Sequence, residues 1–165
     1  MTITGKRAIF AQLALVAVFA LTLTASLQAQ VSDLYVSTAA AGATGSQSAV
    51  AINGLSFDLP AATATQQWAL VTLNMPDLYL KGTPSSGALG GEVSLVLSGV
   101  TTVATGQISA DVVGAGTTGR KPLSIVVKIS LLPGIQSVAA YWNGVRASQI
   151  HSDTFASLSA IMTEN

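Results

Sequence analysis

The chain contains no cysteine, so neither a disulfide framework nor a thiolate metal site is open to it. It has a single histidine, His151. That excludes a histidine-rich metal cluster and leaves one imidazole for acid–base chemistry. Charge is scarce as well: Asp, Glu, Lys and Arg make up 8% of the residues, against about 25% in an ordinary soluble domain. Two of the seven basic residues, Lys6 and Arg7, stand near the N-terminus, so the remainder carries five basic against seven acidic residues, a net charge of −2. No basic patch exists to hold nucleic acid or anionic lipid. Such a surface must be built from Ser, Thr, Gly, Gln, Asn and Ala. It repels copies of itself weakly and suits self-association or neutral polar partners, sugars included. No segment shows a sustained helical period, which excludes a helical bundle.

The N-terminal residues are expected to form a leader. Lys6 and Arg7 precede the apolar run AIFAQLALVAVFALTLTA (8–25), and SLQAQ follows with Ala29 at the −1 position of a cleavage site. This is the pattern of a secretory signal peptide over residues 1–29, with a retained anchor as the alternative. The expected location is secreted, periplasmic or cell-surface, with no membrane contact after cleavage. Residues 30–48 open on VSDLYVSTAA and turn small and polar from Ser37 to Ser48, which reads as an arm and flexible linker.

From Ala49 the chain becomes short β-type runs broken by Gly, Pro, Asn and Ser, the pattern of a sandwich or barrel. QQWALVTLN (66–74) places Trp68, Leu70 and Thr72 on one face and Ala69, Val71 and Leu73 on the other. Apolarity on both faces predicts a central strand covered on each side. Pro76 then breaks pairing because it has no N–H to donate. GEVSLVLSG (91–99) sets Val93, Leu95 and Leu97 against Ser94, Val96 and Ser98. PLSIVVKISLL (122–132) aligns Leu123, Ile125, Val127, Ile129 and Leu131, and Pro133-Gly134 marks a turn.

Five pieces in order, WALVTLNMPDLYLKG, GEVSLVLSGVTTVATG, GRKPLSIVVKISLLPG, IQSVAAYWNG and TFASLSAIM, together resemble the jelly-roll sandwich of the complement globular-head and tumour-necrosis-factor-like superfamily, as seen in exported bacterial proteins. The likeness lies in a long aliphatic strand ending at Leu-x-Pro-Gly, a following strand with an aromatic near its end, and a last strand of the form Ser-Leu-Ser-Ala-Ile (157–161). It covers residues 68–162. The resemblance implies an antiparallel jelly-roll β-sandwich over residues 49–165 that trimerises, with aromatic and aliphatic residues buried between subunits. Trp68, Leu70, Ile125, Val127 and Arg120 are the expected interface residues.

Candidate chemistry is thin. His151 and Asp153 share a strand face, but their spacing is too long for a histidine–carboxylate bond without a bend, and no nucleophile elbow is present. The chain is therefore expected not to be an enzyme and to need neither cofactor nor metal. A calcium ligand set from Asn74 with Asp77, or Asn143 with Asp153, competes with simple turn-shaping roles. The loop VGAGTTGRKP (113–122) presents Arg120 and Lys121 but is no Walker motif. Trp142, Asn143 and Arg146 form the strongest ligand-binding set, an aromatic face with amide and guanidinium donors fitted to a sugar ring. The competing reading puts Trp142 in the core and makes Asn143-Gly144 a hairpin turn. Three functions stay open: an oligomeric structural or adhesive module contacting surface proteins, a carbohydrate-binding protein, and a fibre subunit donating its N-terminal strand to a neighbour.

Overall fold

The computed structural model describes residues 31–83, 88–111 and 116–163. The expected signal peptide (1–29) and residues 113–115 of the Gly-rich loop lie outside the described residues. Eleven strands follow in chain order: β1 (Val31–Ala39), β2 (Gly42–Thr44), β3 (Val50–Leu59), β4 (Trp68–Gly82), β5 (Ala88–Leu97), β6 (Thr101–Asp111), β7 (Gly116–Thr117), β8 (Lys121–Ser130), β9 (Gln136–Val145), β10 (Ser148–Ser152) and β11 (Ala156–Thr163). They form two antiparallel sheets packed as a sandwich. The four-stranded sheet runs β3-β9-β5-β6. The seven-stranded sheet runs β1-β11-β4-β10-β2, with β7 and β8 on the other side of β4.

β4 is the spine, and its sequence explains why. Ala69, Val71, Leu73, Met75, Leu78 and Leu80 alternate inward and are almost wholly buried. Each of the larger of these side chains, Val71, Leu73, Met75, Leu78 and Leu80, contributes about 1.5–3 kcal/mol on leaving water. At 15 residues β4 is long enough to take two partners on each side: β11 then β10 along one edge, β8 then β7 along the other. Pairing does break at Pro76, as a register shift between Met75 and Leu78 within one continuous strand. The irregularity keeps Leu78 inward and turns Asp77 and Tyr79 outward.

Two expectations are corrected. Of the arm or linker expected over residues 30–48 ahead of a domain starting at 49, the described part, from Val31 on, belongs to the sandwich itself. β1 pairs with β11 from Val31 to Ala39 at the edge of the chain's own sheet, and β2 pairs with β10. The small polar residues that read as a linker suffice there, because an edge strand is held mainly by backbone hydrogen bonds on one side. β3 is one strand with a wide irregularity between Ala51 and Ser56, where Gly54 has φ +88° and a Cβ would come within 2.9 Å of the Thr38 carbonyl oxygen. The second correction is at the β9–β10 hairpin. Its turn is Arg146-Ala147, both left-handed at φ 57° and 60°, and not Asn143-Gly144. Gly144 lies within β9, where a Cβ would fall 1.8 Å from the Ser148 carbonyl oxygen, so only glycine fits.

Candidate functional site

The bulge at Pro76 and the β4–β10 register assemble one cluster on the outer face of the seven-stranded sheet. Tyr79 on β4 is the cross-strand partner of His151 on β10. Their rings stack at 4.8 Å between centroids and 15° between planes. On the other side of His151 the partner is Ala43 of β2, a small side chain that leaves the imidazole uncrowded. Arg120, just ahead of β8, reaches across with its guanidinium carbon 5.3 Å from the Tyr79 ring centre. One of its nitrogens donates to the Asp77 carboxylate at 2.6 Å and the other to Asp153. The Tyr79 hydroxyl donates to the second Asp153 oxygen at 3.1 Å.

The electrostatics follow from this geometry. Loss of solvent and the bond to Asp153 raise the Tyr79 hydroxyl above its ordinary range, so it stays a protonated donor. The hydrogen bonds to Asp153 and Asp77 raise Arg120 further, so the guanidinium is permanently charged. Partial burial, with Lys81 nearby, lowers His151, against the opposing pull of Asp153. The imidazole is therefore neutral at neutral pH and approaches the Gln149 side-chain oxygen at 3.3 Å. Arg120 keeps 56% of its side chain exposed and Asp153 41%, whereas Asp77 keeps only 14%. The cluster is thus a half-buried aromatic stack, with Arg120 over Tyr79 and with the free face of His151, the guanidinium and two anchored carboxylates toward solvent. It offers stacking to an apolar ring face and both donors and acceptors to hydroxyls at its rim. It has no nucleophile–base pair, because Asp153 is engaged by Arg120 and Tyr79 and leaves His151 to Gln149.

The residues singled out in the sequence divide differently. Trp142 points into the sandwich at 6% exposure and shows only an edge to a cavity of about 350 Å³ lined by Ala41, Gly42, Ile52 and Asn53 among others. Asn143 points the opposite way from β9, opposite Glu92 on β5, and its amide bonds the Gly144 carbonyl. Arg146 sits in the hairpin turn and borders a separate cavity of about 230 Å³ with Glu92, Gln107 and Ser109. The three do not form one site. Ile125 and Val127 face the core, since β8 alternates inward on the run that includes Ile129, and its outward residues are Val126 and Lys128. Trp68 and Leu70 do face outward, with the Lys128 ammonium 4.4 Å from the Trp68 ring centre. Arg120 belongs to the Tyr79 cluster. Asp77, one half of the calcium reading, is tied to Arg120, and Asn143 lies on β9 of the four-stranded sheet whereas Asp153 follows β10 of the other. Among the described residues no group of three metal-ligating acids or histidines comes together.

Tyr79 is the residue of this cluster that sequence reasoning did not single out. Its signal was the outward parity that the Pro76 irregularity confers, combined with a register between β4 and β10 that only the fold reveals.

No curated protein matches the chain. Among solved structures, the crystal structure of dimeric latent PorU from Porphyromonas gingivalis overlaps 83% of this chain at 13% identity and a TM-score of 0.37, and the overlap spans 14% of that longer chain. The family profile of the Bc2l-C N-terminal domain matches residues 33–161, a span that begins in β1 and ends in β11. The chain belongs to the Bc2l-C N-terminal domain family.

Proposed function

We propose that this protein is a non-enzymatic, lectin-like β-sandwich module that binds a neutral saccharide at the cluster of Tyr79, His151, Arg120, Asp77 and Asp153. The observation that carries the reading is the half-buried, stacked Tyr79–His151 pair flanked by a guanidinium that two carboxylates hold rigid. A pyranose presents an apolar C–H face and a rim of hydroxyls, and this platform matches both. Membership of the Bc2l-C N-terminal family supports a lectin-like module. The low-charge surface favours a neutral ligand over a charged one. The test is a glycan array probed with the wild type and with Arg120→Ala. Loss of a charged, preorganised donor should weaken binding by roughly 10- to 100-fold. Equal retention by both proteins would remove the site from the account.

A second reading concerns assembly. The outer face of the seven-stranded sheet carries Leu34, Val36, Leu70, Val126 and Ile161, exposed at 63, 58, 38, 60 and 37%. Their registers make them neighbours: Leu34 opposes Ile161, which opposes Leu70, while Thr72 opposes Val126. A contiguous apolar face of this kind supports self-association, and the jelly-roll, tumour-necrosis-factor-like resemblance favours a trimer. Export through the leader and display at the cell surface complete the reading. β1 fills the edge of its own sheet, which weighs against strand donation to a neighbour.

A further inference from the structure

Three connections meet at one end of the sandwich: residues 60–67 between β3 and β4, 98–100 between β5 and β6, and 131–135 between β8 and β9. They are tied to one another and to the strand ends. Ala62 N–H donates to the Leu132 carbonyl at 2.9 Å, Leu131 N–H to Gln67 at 2.9 Å, and Ser98 N–H to Ser137 at 2.7 Å. None of these residues is charged. At their tips large apolar side chains stand in water: Val100 is 86% exposed, Ile135 75% and Leu132 55%. The backbone holds the tips in place, with Ser98, Gly99 and Gly134 in the left-handed region at φ 51°, 72° and 126°. Trp68, the first residue of β4, sits half-buried at the same end beneath the Lys128 ammonium.

The opposite end is different. There the β9–β10 turn exposes Arg146, and Lys81 and Glu92 lie on the strands nearby. The ionised groups closest to the apolar end are Asp33, which accepts from the Gln66 side chain, Asp58 on β3, and Lys128. They make no basic patch.

The chain enters the domain at this apolar end. Val31 pairs with Thr163, and the next residue of β11 inward, Met162, pairs with Ala69 beside Trp68.

We propose that this end of the sandwich docks on a neutral lipid bilayer, with Val100, Leu132 and Ile135 entering the interface and Trp68 at headgroup level. Isolated apolar tips on uncharged, rigid loops insert without burying a charge, and an amphipathic indole is at home at that depth. With no basic cluster the attachment is insensitive to salt. The orientation also carries Tyr79 and Arg120, on the far half of β4, away from the bilayer. This inference is independent of the saccharide reading.

The absence of cysteine makes the test direct. Val100→Cys, Ile135→Cys and Ala147→Cys, each in the chain lacking residues 1–29 so that the apolar leader cannot itself bind lipid, are labelled with an environment-sensitive fluorophore and mixed with phosphatidylcholine vesicles containing spin-labelled lipid. The expected result is a blue shift and quenching at 100 and 135, none at 147, unchanged by added salt. Labels at 100 and 135 that stay unshifted in vesicle-bound chain overturn the proposal, as does a chain that does not bind. So does equal quenching at all three positions. A shift at 100 or 135 that needs no vesicles and grows with protein concentration assigns the patch to protein contact instead, and also overturns it.

Discussion

At the residue scale, His151 is the most informative side chain. Partial burial lowers its proton affinity in the folded state. The unfolded imidazole takes up a proton near its ordinary value of about 6.5, while the folded one stays neutral until lower pH. The unfolded state therefore binds more protons in that window, and stability falls as pH drops below about 6.5, levelling off once the folded group also protonates. Thermal unfolding of the wild type should show this slope, and His151→Gln should flatten it. An identical slope in both would place the titration elsewhere. The residue scale is also where sequence reading was weakest. Asp77, Arg120, His151 and Asp153 were each visible, yet they lie in three separate stretches of chain. Their convergence on Tyr79 depends on a long-range register that no local pattern encodes.

At the element scale, alternation was a good guide wherever a strand had one face in the core. The inward faces of β4, β5 and β8 follow the expected parity, down to Leu73, Leu95 and Ile129. It failed for β1, whose last residues are small and polar and which earns its place mainly by pairing with β11. It failed again at the β9–β10 hairpin. Asn-Gly is the stronger turn signal, but Gly144 is needed inside the strand to let the Ser148 carbonyl approach, which pushes the turn onto Arg146 and Ala147. A left-handed L-residue is strained by about 1–2 kcal/mol, part of which glycine gives back through its freer unfolded chain. Ala147→Gly should therefore stabilise the protein by roughly 0.5–1 kcal/mol in urea unfolding. A loss of stability would contradict the turn assignment. The same irregularity logic applies to β4: Pro76 marks a change of register and not an end, and that change is what brings Tyr79 to the outer face.

At the scale of the whole molecule, scarcity of charge unites the observations. A sandwich with few ionised groups presents three distinct surfaces: a charged aromatic platform, an apolar sheet face and an uncharged apolar end. The sheet face is expected to mediate self-association. Light scattering of the chain lacking residues 1–29 should give a discrete oligomer, and Leu70→Lys with Val126→Lys should reduce it to monomer, since unpaired charges at the centre of an apolar contact are costly to bury. A wild-type monomer would remove that assignment and leave the saccharide site untouched.

The central claim is that a neutral saccharide binds at the Tyr79–His151 platform, and the chain's single histidine allows it to be tested at one atom. The measurement is the proton resonance of the His151 ring during titration with a saccharide retained on the array. The account predicts a saturable shift of that resonance in the wild type and none in Arg120→Ala at the same concentrations. Saturable binding that leaves the His151 resonance unmoved would contradict it.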